Sequence, residues 1–192
     1  MSDTTRGIGK VVVNRSMSLD GFIAGPGDAM DWIFDFMAPD APWQKEAAAE
    51  TGAMLIGRRT VEVGERMEAN IDRGTESRGE GYAFSGPTFV LTHRPPDPPA
   101  PDVTYLTGDI EAAVATALEA AGGKNLQILG ADVAGQCLRR GLVDEILVYV
   151  LPVLLGDGVR FFSAPGSARI DLEPLDCTRS EAVTILRFRV RK

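Results

Sequence analysis

Three short segments, each just past an apolar run, carry residue types that suit phosphate. Gly57-Arg58-Arg59-Thr60 follows Ala53-Met54-Leu55-Ile56, Thr92-His93-Arg94-Pro95 follows Thr88-Phe89-Val90-Leu91, and Gly130-Ala131-Asp132-Val133 follows Leu126-Gln127-Ile128-Leu129. Glycine lets backbone approach a ligand closely, arginine supplies charge on a planar donor fork, and a helix N-terminus offers free N–H groups. Gly57–Thr60 would aim backbone N–H groups and two guanidiniums at one spot, with the Thr60 hydroxyl free to donate to phosphate or to cap a helix. The plain alternative is a tight turn with solvated arginines. Thr92–Pro95 taken singly reads as ordinary surface, and gains weight beside the first segment. Gly130 opens a helix whose dipole can hold a pyrophosphate, with Asp132 turned away from it. Together the three point to a phosphorylated ligand.

The apolar runs have the length and boundaries of strands buried on both faces. In open α/β sheets, ligands sit outside the carboxyl ends of such strands, which is where the three segments fall. Residues 9–15 read as the first strand. A glycine-punctuated loop over 16–30 follows, containing Met17-Ser18-Leu19-Asp20-Gly21-Phe22-Ile23-Ala24-Gly25. Its mixture of small, apolar and acidic residues suits a cover over a flat ring that excludes water. Asp20 and Asp31 are carboxylates that could bind a ring amine or assist protonation; the alternative for each is a turn-forming aspartate, and for Trp32 a core residue.

Further along, the spacing predicts helices over 41–50, 60–67, 109–122 and 132–140, and an exposed loop over 68–86. Strands are expected at 103–106 and 144–151, then an antiparallel terminal pair over 170–177 and 183–190. The apolar residues of the last strand (Val183, Ile185, Leu186, Phe188, Val190) read either as core or as an edge that needs cover from a second copy. These elements make one domain over 1–192, an α/β protein with a mostly parallel mixed sheet.

Composition narrows the function classes. At 192 residues, with 44% hydrophobic and 24% charged residues, the chain is of ordinary globular make-up. A net charge of −7 argues against a general nucleic-acid binder. No apolar stretch reaches the roughly 20 residues of a membrane helix, and the N-terminus lacks a signal peptide's apolar core, so a cytoplasmic location is expected. Cys137 and Cys177 show no metal-binding spacing and read as small core residues, and no metal site is expected. His93 is the only histidine and no GxSxG elbow accompanies it, which argues against a serine triad. A GxGxxG fingerprint is missing as well, which argues against a Rossmann NAD site.

The order of the motifs resembles the dihydrofolate reductase superfamily, in particular the reductase domain found C-terminally in bifunctional riboflavin-biosynthesis deaminase/reductases. The segments that carry the resemblance are Ser18–Ala24, Met54–Thr60, Val90–Pro95, Ile128–Ala131, Gly141–Glu145 and Val153–Gly158, so it runs from residue 18 to 158. It implies a three-layer fold with a central, mostly parallel sheet, NADPH across the strand ends, and a small heterocyclic substrate. By carry-over, Arg58, Arg59 and Thr60 would contact cofactor phosphates, with Gly57 before them. Thr92, His93 and Arg94 would hold the adenosine end with its 2′-phosphate, and Gly130 and Ala131, with Val133 beyond, would lie under the pyrophosphate. Leu19, Asp20 and Ile23 would border the nicotinamide and substrate, with Asp20 the polar group nearest the chemistry. The resemblance also implies a homodimer. Ala131 stands where the family often has a second glycine, the zinc-deaminase half is absent, and Asp35 lies near the acidic position of folate-reducing members. The implied activity is reduction of a pteridine, flavin precursor or related C=N or C=O compound. A riboflavin-pathway 5-amino-6-(5-phosphoribosylamino)uracil reductase and a non-catalytic nucleotide- or flavin-binding module are the alternatives.

Overall fold

The β-branched run Val11-Val12-Val13 opens β1 (Val11–Ser18), and these valines are buried from both faces of the sheet. The computed structural model describes residues 9–36, 41–72, 84–100 and 102–192, with the backbone path alone for 68–72. After β1 come β2 (Phe22–Ala24), short 3-10 turns at Pro26–Asp28 and Asp31–Phe36, α1 (Pro42–Glu50), β3 (Thr51–Gly57) and α2 (Arg58–Asp72). Then follow β4 (Thr88–Leu91), β5 (Thr104–Leu106), α3 (Ile110–Ala120), β6 (Asn125–Leu129) and α4 (Ala131–Arg139). The chain closes with β7 (Glu145–Leu151), β8 (Val159–Arg160), β9 (Leu172–Ser180) and β10 (Val183–Val190).

One 8-stranded sheet runs β5-β4-β3-β6-β1-β7-β10-β9. Pairings from β5 across to β7 are parallel, and β10 and β9 close the sheet antiparallel. Two cores sandwich it. On one face Val11, Val13, Leu126 and Ile128 pack on α3 and α4 through Ala113, Ala117, Val133 and Leu138. On the other, Val12, Leu147, Tyr149 and Leu151 meet Ile33 and Ala47, with Trp43 against them. This is a three-layer, mostly parallel architecture, with a small β2–β8 sheet beside it. Asp109 caps α3 by accepting from the N–H groups of Glu111 and Ala112 at 3.0 and 3.3 Å.

Several boundaries differ from the sequence reading. β1 continues through Ser18 and β2 follows, so the expected 16–30 loop is largely strand and tight turn. The helix expected at 60–67 begins at Arg58, directly from β3, and continues to Asp72, while 73–83 of the expected loop lie outside the described residues. The terminal pair also sits differently. β10 lies inside the sheet between β7 and β9, with Val183 and Val190 buried, and the exposed edge is β9. Glu173, Asp176 and Arg179 put charge along that edge, which disfavours edge-to-edge pairing. Cys137 is a core residue whose thiol burial pushes up to about 12, whereas Cys177, expected in the core, is exposed on β9.

Candidate functional site

A cavity of about 950 Å³ opens at the carboxyl ends of β1, β3, β4 and β6. The chain leaves β1 toward β3 on one side, and β6 connects across β1 to β7 on the other. Such a reversal leaves a crevice that no connection fills. All three strand-end segments line it: Gly57 to Thr60, Thr92 to Arg94, and Gly130, Ala131 and Val133.

Glycines let the first and third segments touch. Gly130, the residue before α4, has φ 96, and a Cβ there would stand 2.7 Å from Thr60 Oγ1. A Cβ on Gly57 would stand 3.2 Å from the Cγ2 of buried Val133. Any larger residue would fill the space between the two strand-to-helix junctions. No side chain caps α4, and its first residues Ala131 and Asp132 line the crevice. At the second segment, buried Thr92 donates its N–H to Leu106 and accepts the Arg94 N–H on its hydroxyl at 3.1 Å. That closed turn leaves the His93 and Arg94 side chains exposed at the rim.

Two of the arginines are already engaged. Arg58 pairs with Glu62 at 3.0 Å. Arg59 Nη2 lies 2.8 Å from Asp28 Oδ1, and Arg66 reaches the other oxygen at 3.2 Å. The hydrogen bond from Arg59 holds the Asp28 carboxyl below the usual carboxylate range, with Arg66 adding to it. Asp28 adopts φ 65 in the turn after Gly27, and this clasp fixes the loop after β2 against α2. Asp28 was missed in the sequence because its partners lie on another element. Asp132, expected to turn away, lines the rim and accepts from Gln136 Nε2 at 2.8 Å.

Leu19 and Asp20 do not reach the cavity lining, whereas Ile23 does. Leu19 is 67% exposed. Asp20 accepts from Ser18 Oγ at 2.6 Å and from the N–H groups of Leu155 and Gly156 at 3.1 and 2.7 Å. These bonds, that from Ser18 foremost, hold its pKa down to about 2. Asp20, expected to be the polar group nearest the chemistry, stands outside the cavity lining, and its carboxylate ties the β1–β2 turn to the loop after β7. Asp31, Trp32 and Asp35 also lie outside the lining.

Asp20→Asn is expected to lower the melting temperature at neutral pH. The folded pKa lies below the unfolded value of 3.8, so the stabilisation is full above about pH 4 and fades as pH falls through 2. Thermal unfolding of both proteins from pH 7 to pH 2 should show the gap closing in that window. A gap that persists at pH 2 would remove the carboxylate's charge as the cause.

The far end of the cavity came from residues that the sequence reading did not single out. Met30, Ile33, Phe34, Trp43 and Tyr149 make an apolar and aromatic wall, into which the amides of Asn14, Gln44 and Gln127 are set. The Trp43 and Tyr149 rings lie 4.2 Å apart between centroids. Asn14, Gln44 and Gln127 are buried, and Gln44 Nε2 has no hydrogen-bond partner among the described residues. Arg15 of β1 also lines the cavity, at 8% exposure. The visible signal is the polar pair Asn14-Arg15 directly after the apolar run Val11–Val13 of a buried strand.

Known proteins share this fold. The chain is 24% identical over 155 residues to the uncharacterized protein YwjB of Bacillus subtilis (strain 168), covering 80% of this chain and 82% of that protein. A Shewanella sp. PV-4 protein assigned to riboflavin biosynthesis superposes with TM-score 0.76 at 22% identity, over 95% of this chain and 99% of its own. Dihydrofolate reductase from Enterococcus faecalis, solved with NADP(H), superposes with TM-score 0.61 at 17% identity, over 97% and 99%. At these identities the structural likeness is one of fold. The family model described as RibD C-terminal domain matches residues 9–186, nearly the whole chain, and the protein belongs to that family.

Proposed function

We propose that this protein is an NADPH-dependent reductase that transfers hydride to a carbon of a C=N or C=O bond in a small heterocycle. The observation that carries the reading is the two-ended cavity, cationic and glycine-lined at the strand ends and aromatic with buried amides at the other. The residues present fit a dinucleotide: Gly57 and Gly130 leave a cradle that a Cβ would fill, and Thr60 and Arg94 offer donors around it. When bound, NADPH supplies the hydride. The chain's own work is positioning and exclusion of water. Trp43, Phe34 and Tyr149 offer faces for a flat ring, and Asn14, Gln44 and Gln127 offer amides for its polar edge. With Asp20 committed elsewhere, the heteroatom takes its proton from solvent at the cavity mouth.

Membership of the RibD C-terminal domain family favours a flavin precursor among the candidate heterocycles. The riboflavin-pathway reductase reading adds a demand for positive charge to hold a ribose phosphate. A homodimer in the cytoplasm belongs to the same proposal. No helix among the described residues is long and apolar enough to cross a membrane.

Titration with NADPH and NADH, followed by quenching of tryptophan fluorescence, tests the first step, because Trp43 lines the cavity. The expected result is saturable binding with a preference for NADPH, then NADPH oxidation with a member of a pteridine and flavin-precursor panel. Binding without oxidation across the panel would favour a non-catalytic nucleotide-binding module. No binding of either cofactor would remove the reductase reading.

A further inference from the structure

We infer that Arg15 is an anion-binding residue of the cavity, its guanidinium receiving a phosphate or carboxylate group of the bound ligand beside the N-terminus of α4. The inference rests on the reading that this cavity binds a ligand, and it concerns a residue outside the three strand-end segments.

Arg15 follows Val11-Val12-Val13 in β1, and side-chain alternation puts it on the face of Val11 and Val13, the face that packs on α3 and α4. Its register partner in β7 is Val148, a member of the same core. On the other side Val13 pairs with Ile128, so Arg15 stands two residues past the last pairing, level with Gly130. Arg15, Gly130 and Ala131 line one cavity.

The guanidinium is short of partners. Nη1 donates to the neighbouring Asn14 carbonyl at 2.6 Å, while Nη2 is buried with no hydrogen-bond partner among the described residues. Among the described residues no carboxylate lies within ion-pair distance of it, whereas Arg58, Arg59 and Arg187 each have one. Burial pulls its pKa down to about 9, which still leaves it cationic at neutral pH. A buried cation is retained where something neutralises it. The same cavity is lined by Gly130 and Ala131 at the start of α4, whose first N–H groups have no side-chain cap and attract an anion. Two independent features, a helix end and an unpaired buried guanidinium, therefore call for the same ligand chemistry.

The anion has two sources, a phosphate of the dinucleotide or an acidic substituent of the substrate. The test compares wild type and Arg15→Met in the full chain, with Arg15→Lys as a charge-keeping control. Inorganic pyrophosphate should raise the wild-type melting temperature and leave that of Arg15→Met unmoved. The ligand-free variant should melt no lower than wild type, since it loses an unpaired buried charge.

If the cofactor supplies the anion, Arg15→Met weakens NADPH and NADH alike by roughly tenfold or more, because both carry the pyrophosphate. If the substrate supplies it, cofactor affinity holds and inorganic phosphate still stabilises NADPH-saturated wild type but not the variant. Unchanged responses to pyrophosphate, phosphate and both cofactors in Arg15→Met would overturn the assignment. Arg15-dependent protection by pyrophosphate in a protein that binds no NADPH would keep Arg15 as the anion site and remove the cofactor reading alone.

Discussion

Arg94→Ala is expected to raise the dissociation constant for NADPH by roughly 10- to 100-fold while leaving NADH within about twofold. The cofactors differ by the 2′-phosphate, so a residue that contacts that group separates them. Arg94 is suited to this by what holds it and by what does not. Its N–H is fixed by the Thr92 hydroxyl at 3.1 Å, and Thr92 is itself bonded to Leu106, so the turn is set before a ligand arrives. Its guanidinium has no carboxylate partner among the described residues, so no internal ion pair must break first. A charge-assisted bond to phosphate contributes about 1.5–3 kcal/mol, which gives the fold-change above. Arg59 should discriminate less, because Asp28 already holds it at 2.8 Å and must be displaced. Titrations at two ionic strengths check the result, with the difference shrinking as salt screens the exposed rim. An equal loss for both cofactors would move Arg94 away from the 2′-phosphate.

Arg187→Met is expected to destabilise the fold by about 3 kcal/mol. Its partner Glu145 is 2% exposed at the start of β7, where it pairs with Lys10 and with Arg187. Arg187 in β10 spans Glu145 at 3.1 Å and Glu50 of α1 at 2.6 Å, and the Glu50 bond is the main cause that raises its pKa. Removing the guanidinium leaves a nearly inaccessible carboxylate with Lys10 alone, which makes the single substitution costly. For a chain of 192 residues this corresponds to a fall in Tm of roughly 6–12 °C. The companion experiment is Arg187→Met with Glu145→Leu. Replacing both ions with apolar residues should recover much of the loss, since a buried pair often adds little over well-packed hydrophobes. If the double variant is as unstable as the single one, the cost lies in packing rather than in stranded charge. Urea unfolding of wild type, the single variant and the double variant separates the two.

Asp20 and Asp28 show how the candidate site divides between local and distant causes. Both stand in turns after strands; Asp20 reads locally as a turn aspartate or a functional carboxylate, and nothing local singles out Asp28. What each does depends on groups far along the chain: Leu155 and Gly156 for Asp20, Arg59 and Arg66 for Asp28. Hydrophobic periodicity and turn chemistry report on a few neighbouring residues, so they place a carboxylate at a strand end and are silent on its partner. The same limit explains the terminal strands. Alternation in Val183–Val190 showed a strand, but only its pairing with β7 put it inside the sheet and left β9 at the edge.

The sequence by itself determined the fold class and the strand-end segments. Apolar runs of strand length, each ended by glycine or a polar turn and two of the three leading straight into a helix pattern, allow little besides a mostly parallel sheet. Ligand-facing residues then fall at the carboxyl ends, and Gly57–Thr60, Thr92–Arg94 and Gly130–Val133 do line one cavity. Tertiary structure alone decided which of those residues are free. It engaged Arg58 and Arg59 with carboxylates, turned Leu19 and Asp20 out of the lining, and built the aromatic wall from residues between Met30 and Tyr149. It also left Arg15 buried with no carboxylate partner among the described residues. The physical reason is that burial and ion pairing depend on which distant segments meet, and strand order, which brings them together, is not written in the local pattern of any one segment.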